Sequence, residues 1–96
     1  MTKETALEIL SRIKDRQSDY NVKSLALIGS IARDEAGPDS DIDILVEFNG
    51  PATFDLFMDL KFFLEETVNR RVDLVTTKAL KPKIRSNIYR DAVYVT

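Results

Sequence analysis

Asp41 and Asp43 stand one residue apart in the run Ser40-Asp41-Ile42-Asp43-Ile44-Leu45-Val46. Folded as a strand, this run turns both carboxylates to one face and Ile42, Ile44 and Val46 to the other. Two like charges about 4 Å apart cost roughly 4 kcal/mol at an effective dielectric near 20. A divalent cation between them removes that cost, and hard carboxylate oxygens suit Mg²⁺ or Mn²⁺ rather than zinc or copper. The alternative is a solvated strand end with two exposed aspartates. Asp73, in Arg71-Val72-Asp73-Leu74-Val75, is the candidate third carboxylate. Between apolar strand neighbours an unpaired charge is expensive to bury, and the same metal site would compensate it. Its role would be to activate an acceptor hydroxyl. Glu47 shares the face of Asp43 but lies about 13 Å further along the strand at ~3.3 Å per residue. It is read as solvated or salt-bridged.

Ten residues separate Asp41 from the dipeptide Gly29-Ser30, which ends the apolar run Ser24-Leu25-Ala26-Leu27-Ile28 and opens a short helix. Glycine lets a ligand approach the backbone, and the first N–H groups of a helix favour an anion such as phosphate. A plain N-cap role for Ser30 is the alternative. No lysine follows a second glycine in the frame of a Walker loop. If the two strands pair side by side, phosphates held at Gly29-Ser30 meet cations held at Asp41 and Asp43. That combination is a nucleoside triphosphate site.

The elements that must position these groups follow from apolar spacing. Ala6, Ile9, Leu10 and Ile13 predict an amphipathic helix over residues 3–17, capped by Thr5-x-x-Glu8 or by Thr2. Strands are expected at 24–28, 41–48, 71–75 and 92–95, with a short helix at 30–36 and a turn at Gly37-Pro38-Asp39-Ser40. A helix from Thr53 to Asn69 carries one stripe of Phe54, Met58 and Phe62 and another of Leu56, Leu60, Phe63 and Leu64. It is either sandwiched in the core or offers one stripe to another protein. Pro82 opens a last helix to about Arg90. The order α-β-α-β-α-β-α-β implies an α/β (α+β) fold, with helices on one side of a small sheet.

Composition narrows the chemistry. The 96 residues, 1–96, suit a single domain. With no cysteine and no histidine, disulfides, thiolate nucleophiles and the commonest general base are excluded, so the chemistry must run on carboxylates. No apolar run approaches the ~20 residues of a membrane span, and no signal peptide is evident, so a cytoplasmic location is expected. The formal net charge of −2 argues against a nucleic-acid coat. Arg70, Arg71, Lys78, Lys81, Lys83, Arg85 and Arg90 read as a solvated face, with RNA binding the weaker alternative. Tyr20, Tyr89 and Tyr94 are expected to serve packing.

Gly29-Ser30, ten intervening residues and Asp41-x-Asp43 resemble the signature of the DNA polymerase beta-like nucleotidyltransferase superfamily. The fuller run from Gly29-Ser30-Ile31-Ala32-Arg33 through Gly37-Pro38-Asp39-Ser40-Asp41-Ile42-Asp43 to Phe48 is similar to its minimal nucleotidyltransferase (MNT) branch. So is Val72-Asp73-Leu74-Val75 with Leu80-Lys81-Pro82. The resemblance implies a compact mixed sheet flanked by helices, binding a magnesium nucleotide. It further implies that Gly29 and Ser30 contact the β- and γ-phosphates while Asp41, Asp43 and Asp73 hold two Mg²⁺ (or Mn²⁺) ions. Arg33 would pair with a phosphate or with a nearby acid. Members often carry glycine after this arginine, where the chain has Asp34-Glu35, two acids that would repel a triphosphate unless turned away.

By the same resemblance, the reaction is attack of a hydroxyl on the α-phosphorus of ATP. Small MNT proteins pair with a helical HEPN ribonuclease toxin, inhibit it as antitoxins and adenylylate a tyrosine on it. One catalytic unit with no acceptor pocket of its own is expected to work with such a partner, as a homo- or hetero-oligomer. Two alternatives are a steric antitoxin without catalysis and a nucleotidyltransferase subunit acting on a small aminoglycoside-like molecule.

Overall fold

In the computed structural model, which describes residues 1–37 and 40–95, α1 (Lys3–Ser11) leads through a 3₁₀ segment (Arg12–Tyr20) into β1 (Val22–Ile28). Then come α2 (Gly29–Ala32), β2 (Ile42–Phe48), α3 (Phe54–Val68), β3 (Val72–Thr76), a short 3₁₀ turn (Thr77–Ala79), α4 (Pro82–Asp91) and β4 (Val93–Tyr94). Local chemistry sets the boundaries. The hydroxyls of Thr2 and Thr53 accept from the N–H groups of Thr5 and Leu56, each at 3.1 Å, capping α1 and α3. Thr2, not Thr5, is therefore the first cap. Asn21 and Asn69 take left-handed backbone (φ 55° and 56°) and end the segments before them. Pro82 occupies the first turn of α4.

Two helical expectations are corrected. The first helix stops at Ser11 because, apart from Ile13, residues 12–19 are all polar and offer nothing for a further α-helical turn to bury. α2 is a single turn ending at Ala32, since Asp34 adopts φ 59°, which a right-handed helix cannot contain. Of the expected turn, Pro38 and Asp39 lie outside the described residues. Its flanks bond each other, the Ser40 N–H donating to the Gly37 carbonyl (3.3 Å) and the Gly37 N–H to the Ser40 hydroxyl (3.0 Å).

The sheet is mixed, in the order β3-β2-β1-β4: β1 is antiparallel to β2 and β4, and β2 is parallel to β3. Alternate residues split into two cores. Leu25, Leu27, Ile42, Ile44, Val46, Val72 and Leu74 pack with Ala6, Leu10, Leu60 and Leu64 of α1 and α3. Ala26, Ile28 and Leu45 pack on the opposite face with Leu80, Ile88 and Ala92. Helices thus flank both faces, not one. β1 and β2 carry apolar side chains on both sides, so a second layer is needed to cover them.

α3 is not sandwiched in the core on all sides. Leu60 and Leu64 are buried, while Phe54 and Phe62 remain 75% and 54% exposed. Tyr20 packs as expected, stacked on Phe63 with ring centres 5.1 Å apart, but Tyr89 and Tyr94 are exposed rather than packed. On the free edge of β3, the Val72 N–H donates to a Glu65 carboxylate oxygen at 3.0 Å. No helix among the described residues is long and apolar enough to cross a membrane.

Candidate active site

The antiparallel register sets Ile28 opposite Asp43, so Gly29 leaves β1 beside the start of β2. The parallel register sets Asp73 directly beside Asp43. Pairing in register puts both carboxylates on one face, with strands about 4.8 Å apart. The two acids that the sequence placed thirty residues apart are therefore neighbours.

Gly29 is required here for two reasons. Its φ of +69° is left-handed, and a Cβ on it would run into the carboxylate of Asp43. The Gly29 backbone thus lies close against the Asp43 carboxylate. Ser30 is not the N-cap; that position belongs to Ile28, and among the described residues the Ser30 hydroxyl has no partner. Because α2 is one turn long, its first N–H groups, more than a helix dipole, are what it would offer an anion.

Electrostatics identify Asp43 as the focus. Burial pushes its carboxyl above the ordinary aspartate range, the charges of Asp73 and then Asp41 push it further, and side-chain hydrogen bonding with Asp73 adds to the rise. The Arg33 guanidinium opposes them. Asp41, one residue before β2, is exposed and reaches Asp43 through its charge. Among the described residues no three acids are drawn together as a finished cation cage. The backbone fixes the pair Asp43–Asp73, with Asp41 at its mouth.

One premise changes. Asp73 is exposed, so the burial cost expected for it does not arise; β3 is the outermost strand. Glu47 behaves as expected, 3.8 Å from Lys23 at the far end of β2.

The Asp34-Glu35 pair turns aside. The Asp34 carboxylate accepts from the Lys3 N–H (3.1 Å), at the start of α1, and Glu35 pairs with Arg33 at 3.1 Å. The left-handed conformation at Asp34 is the one glycine adopts freely, which explains why either residue suits the position. Arg33 thus pairs with a nearby acid while its charge still reaches Asp43.

A groove of about 310 Å³ opens above Asp43, lined by Ile28, Gly29 and Arg33 on one wall and by Ile84, Asn87, Ile88 and Asp91 of α4 on the other. Sequence reading missed this second wall. Its signal was the spacing 84, 87, 88 and 91, one face of a helix.

The nucleotidyltransferase domain family matches residues 7–95. A protein adenylyltransferase, MntA, of Thermococcus cleftensis is 38% identical over 82 residues, spanning 85% of this chain and 83% of that protein. A solved structure provisionally assigned as a minimal nucleotidyltransferase superimposes with a TM-score of 0.84 at 32% identity, covering 97% of this chain and 95% of that one. The fold also matches, at TM-score 0.67 and 16% identity, a chain of the complex between a tri-AMPylated Shewanella oneidensis HEPN toxin and its MNT antitoxin, over 99% of this chain and 72% of that one.

Proposed function

The chain belongs to the nucleotidyltransferase domain family, in its minimal branch, and from that premise we propose that it transfers AMP from ATP to a hydroxyl of a partner protein, residues 1–96 forming one catalytic domain. The observation that carries this reading is the in-register pairing of Asp43 with Asp73 beside the left-handed Gly29.

In this reading Gly29 and Ser30 hold the β- and γ-phosphates through backbone N–H groups and the Ser30 hydroxyl, and Arg33 balances their charge. The acceptor oxygen attacks the α-phosphorus in line, the bond to the bridging oxygen of the β-phosphate breaks, and pyrophosphate departs. Asp73, exposed beside Asp43, accepts the proton of the hydroxyl. The donor chemistry fits a hard divalent cation: the in-register carboxylates of Asp43 and Asp73 supply oxygen ligands whose mutual repulsion a cation would relieve. Mg²⁺ or Mn²⁺ bound by Asp41, Asp43 and Asp73 would neutralise phosphate charge and acidify the acceptor.

The acceptor this reading assigns is a tyrosine on a HEPN-type helical toxin, with the chain as its antitoxin in the cytoplasm. The exposed Phe54 and Phe62 of α3 supply apolar surface for docking. Incubation with the partner, ATP and Mg²⁺, followed by intact-mass measurement, tests it. An AMP adduct that disappears in the Asp41→Asn/Asp43→Asn double variant is expected. Absence of any adduct, or one that survives the double substitution, rejects the assignment.

A further inference from the structure

We propose that the outer wall of the groove, on α4, is a nucleobase platform: Ile84 covers the base face and Asn87 bonds its polar edge. The inference rests on the nucleotide reading above and extends it from the phosphate end to the base end.

Residues 84, 87, 88 and 91 lie at helical spacings of three and four, so α4 presents one continuous face to the groove. The face is graded. Ile88 is half-buried and packs with Ala26, Ile28 and Leu45, fixing the helix on the sheet. Ile84, one turn earlier, is 46% exposed, an apolar side chain on an otherwise largely polar helix. Its position beside Gly29 and Arg33, the phosphate end in the reading above, suits a ligand that is anionic at one end and flat and apolar at the other. A nucleotide has that shape.

Asn87 adds a neutral amide with one acceptor and two donor hydrogens, and among the described residues it makes no hydrogen bond. An amide of this kind pairs with the donor–acceptor edge of adenine. The opposite end of the site, toward Asp73 on the outermost strand, is exposed and acidic, which leaves it open to the acceptor.

The test compares ATP with inorganic tripolyphosphate, which lacks base and sugar, by calorimetric titration of the full chain in Mg²⁺. Ile84→Ser and Asn87→Ala alter exposed side chains, and thermal melts confirm that each folds. Each is expected to weaken ATP roughly three- to tenfold, the effect of one lost contact, with tripolyphosphate affinity unchanged. Ile84→Leu is expected to restore ATP affinity. Equal losses for both ligands, or none for ATP, overturn the platform while leaving the phosphate site intact. If the unmodified chain binds neither ligand, the nucleotide reading falls and the platform with it.

Discussion

Replacing Asp43 by asparagine is expected to stabilise the fold while removing its chemistry. Asp43 and Asp73 are in-register neighbours on strands about 4.8 Å apart. Two charges at that distance cost roughly 3 kcal/mol at a dielectric of 20 and about 1 kcal/mol at that of water. Because Asp73 is exposed, the lower figure applies, giving a gain of about 1 kcal/mol and a rise in Tm of roughly 4–8 °C. The folded state raises the Asp43 pKa, so its stabilising contribution is complete below the ordinary aspartate value and is lost as pH rises through the folded one. The advantage of Asp43→Asn should therefore be present at pH 7 and vanish below about pH 3.9. Added NaCl should shrink it by screening. Millimolar MgCl₂ should raise the Tm of the unmodified chain and leave the variant nearly unmoved. Circular dichroism melts with and without Mg²⁺ measure all of this. A variant that melts lower at pH 7 in metal-free, low-salt buffer, or that gains as much from Mg²⁺, refutes the reasoning.

Gly29→Ala should destabilise by about 1–2 kcal/mol through its left-handed φ and displace the Asp43 carboxylate, weakening ATP more than tenfold in calorimetry. Asp34→Gly should leave stability within about 1 kcal/mol, since relief of positive φ offsets the lost bond to the Lys3 N–H. Its ATP affinity should stay within about twofold, because the carboxylate is engaged outside the groove. Leu64→Ala, at a fully buried position, should lower stability by about 2–5 kcal/mol in urea titration without changing the fold of the survivors.

The order of elements along the chain and several boundaries were legible where apolar spacing met a capping residue, whereas the order of strands in the sheet was not. Asn69 and Pro82 marked ends that the structure keeps, and the strand carrying Asp43 was placed to within one residue, Asp41 falling just before it. The failures have a common physical source: they concern what covers what. Apolar alternation tells that Leu45 and Ala26 need burial but not that α4 supplies it, so the second layer and its groove-facing residues went unseen. Asp73 was read as buried because its neighbours are apolar, whereas an edge strand gives such a residue access to water. Asp34 looked hostile to phosphate until its backbone angle and its tie to α1 were visible.

The tie between Glu65 and the Val72 N–H has a meaning for the solution behaviour of the protein. A bare row of amides along the outer strand would invite another chain to zip onto it, and here a carboxylate occupies one donor and brings negative charge to the seam. Self-templated polymerisation is thereby discouraged. Contacts with other molecules are left to side chains, which can choose their partners in a way that bare amides cannot.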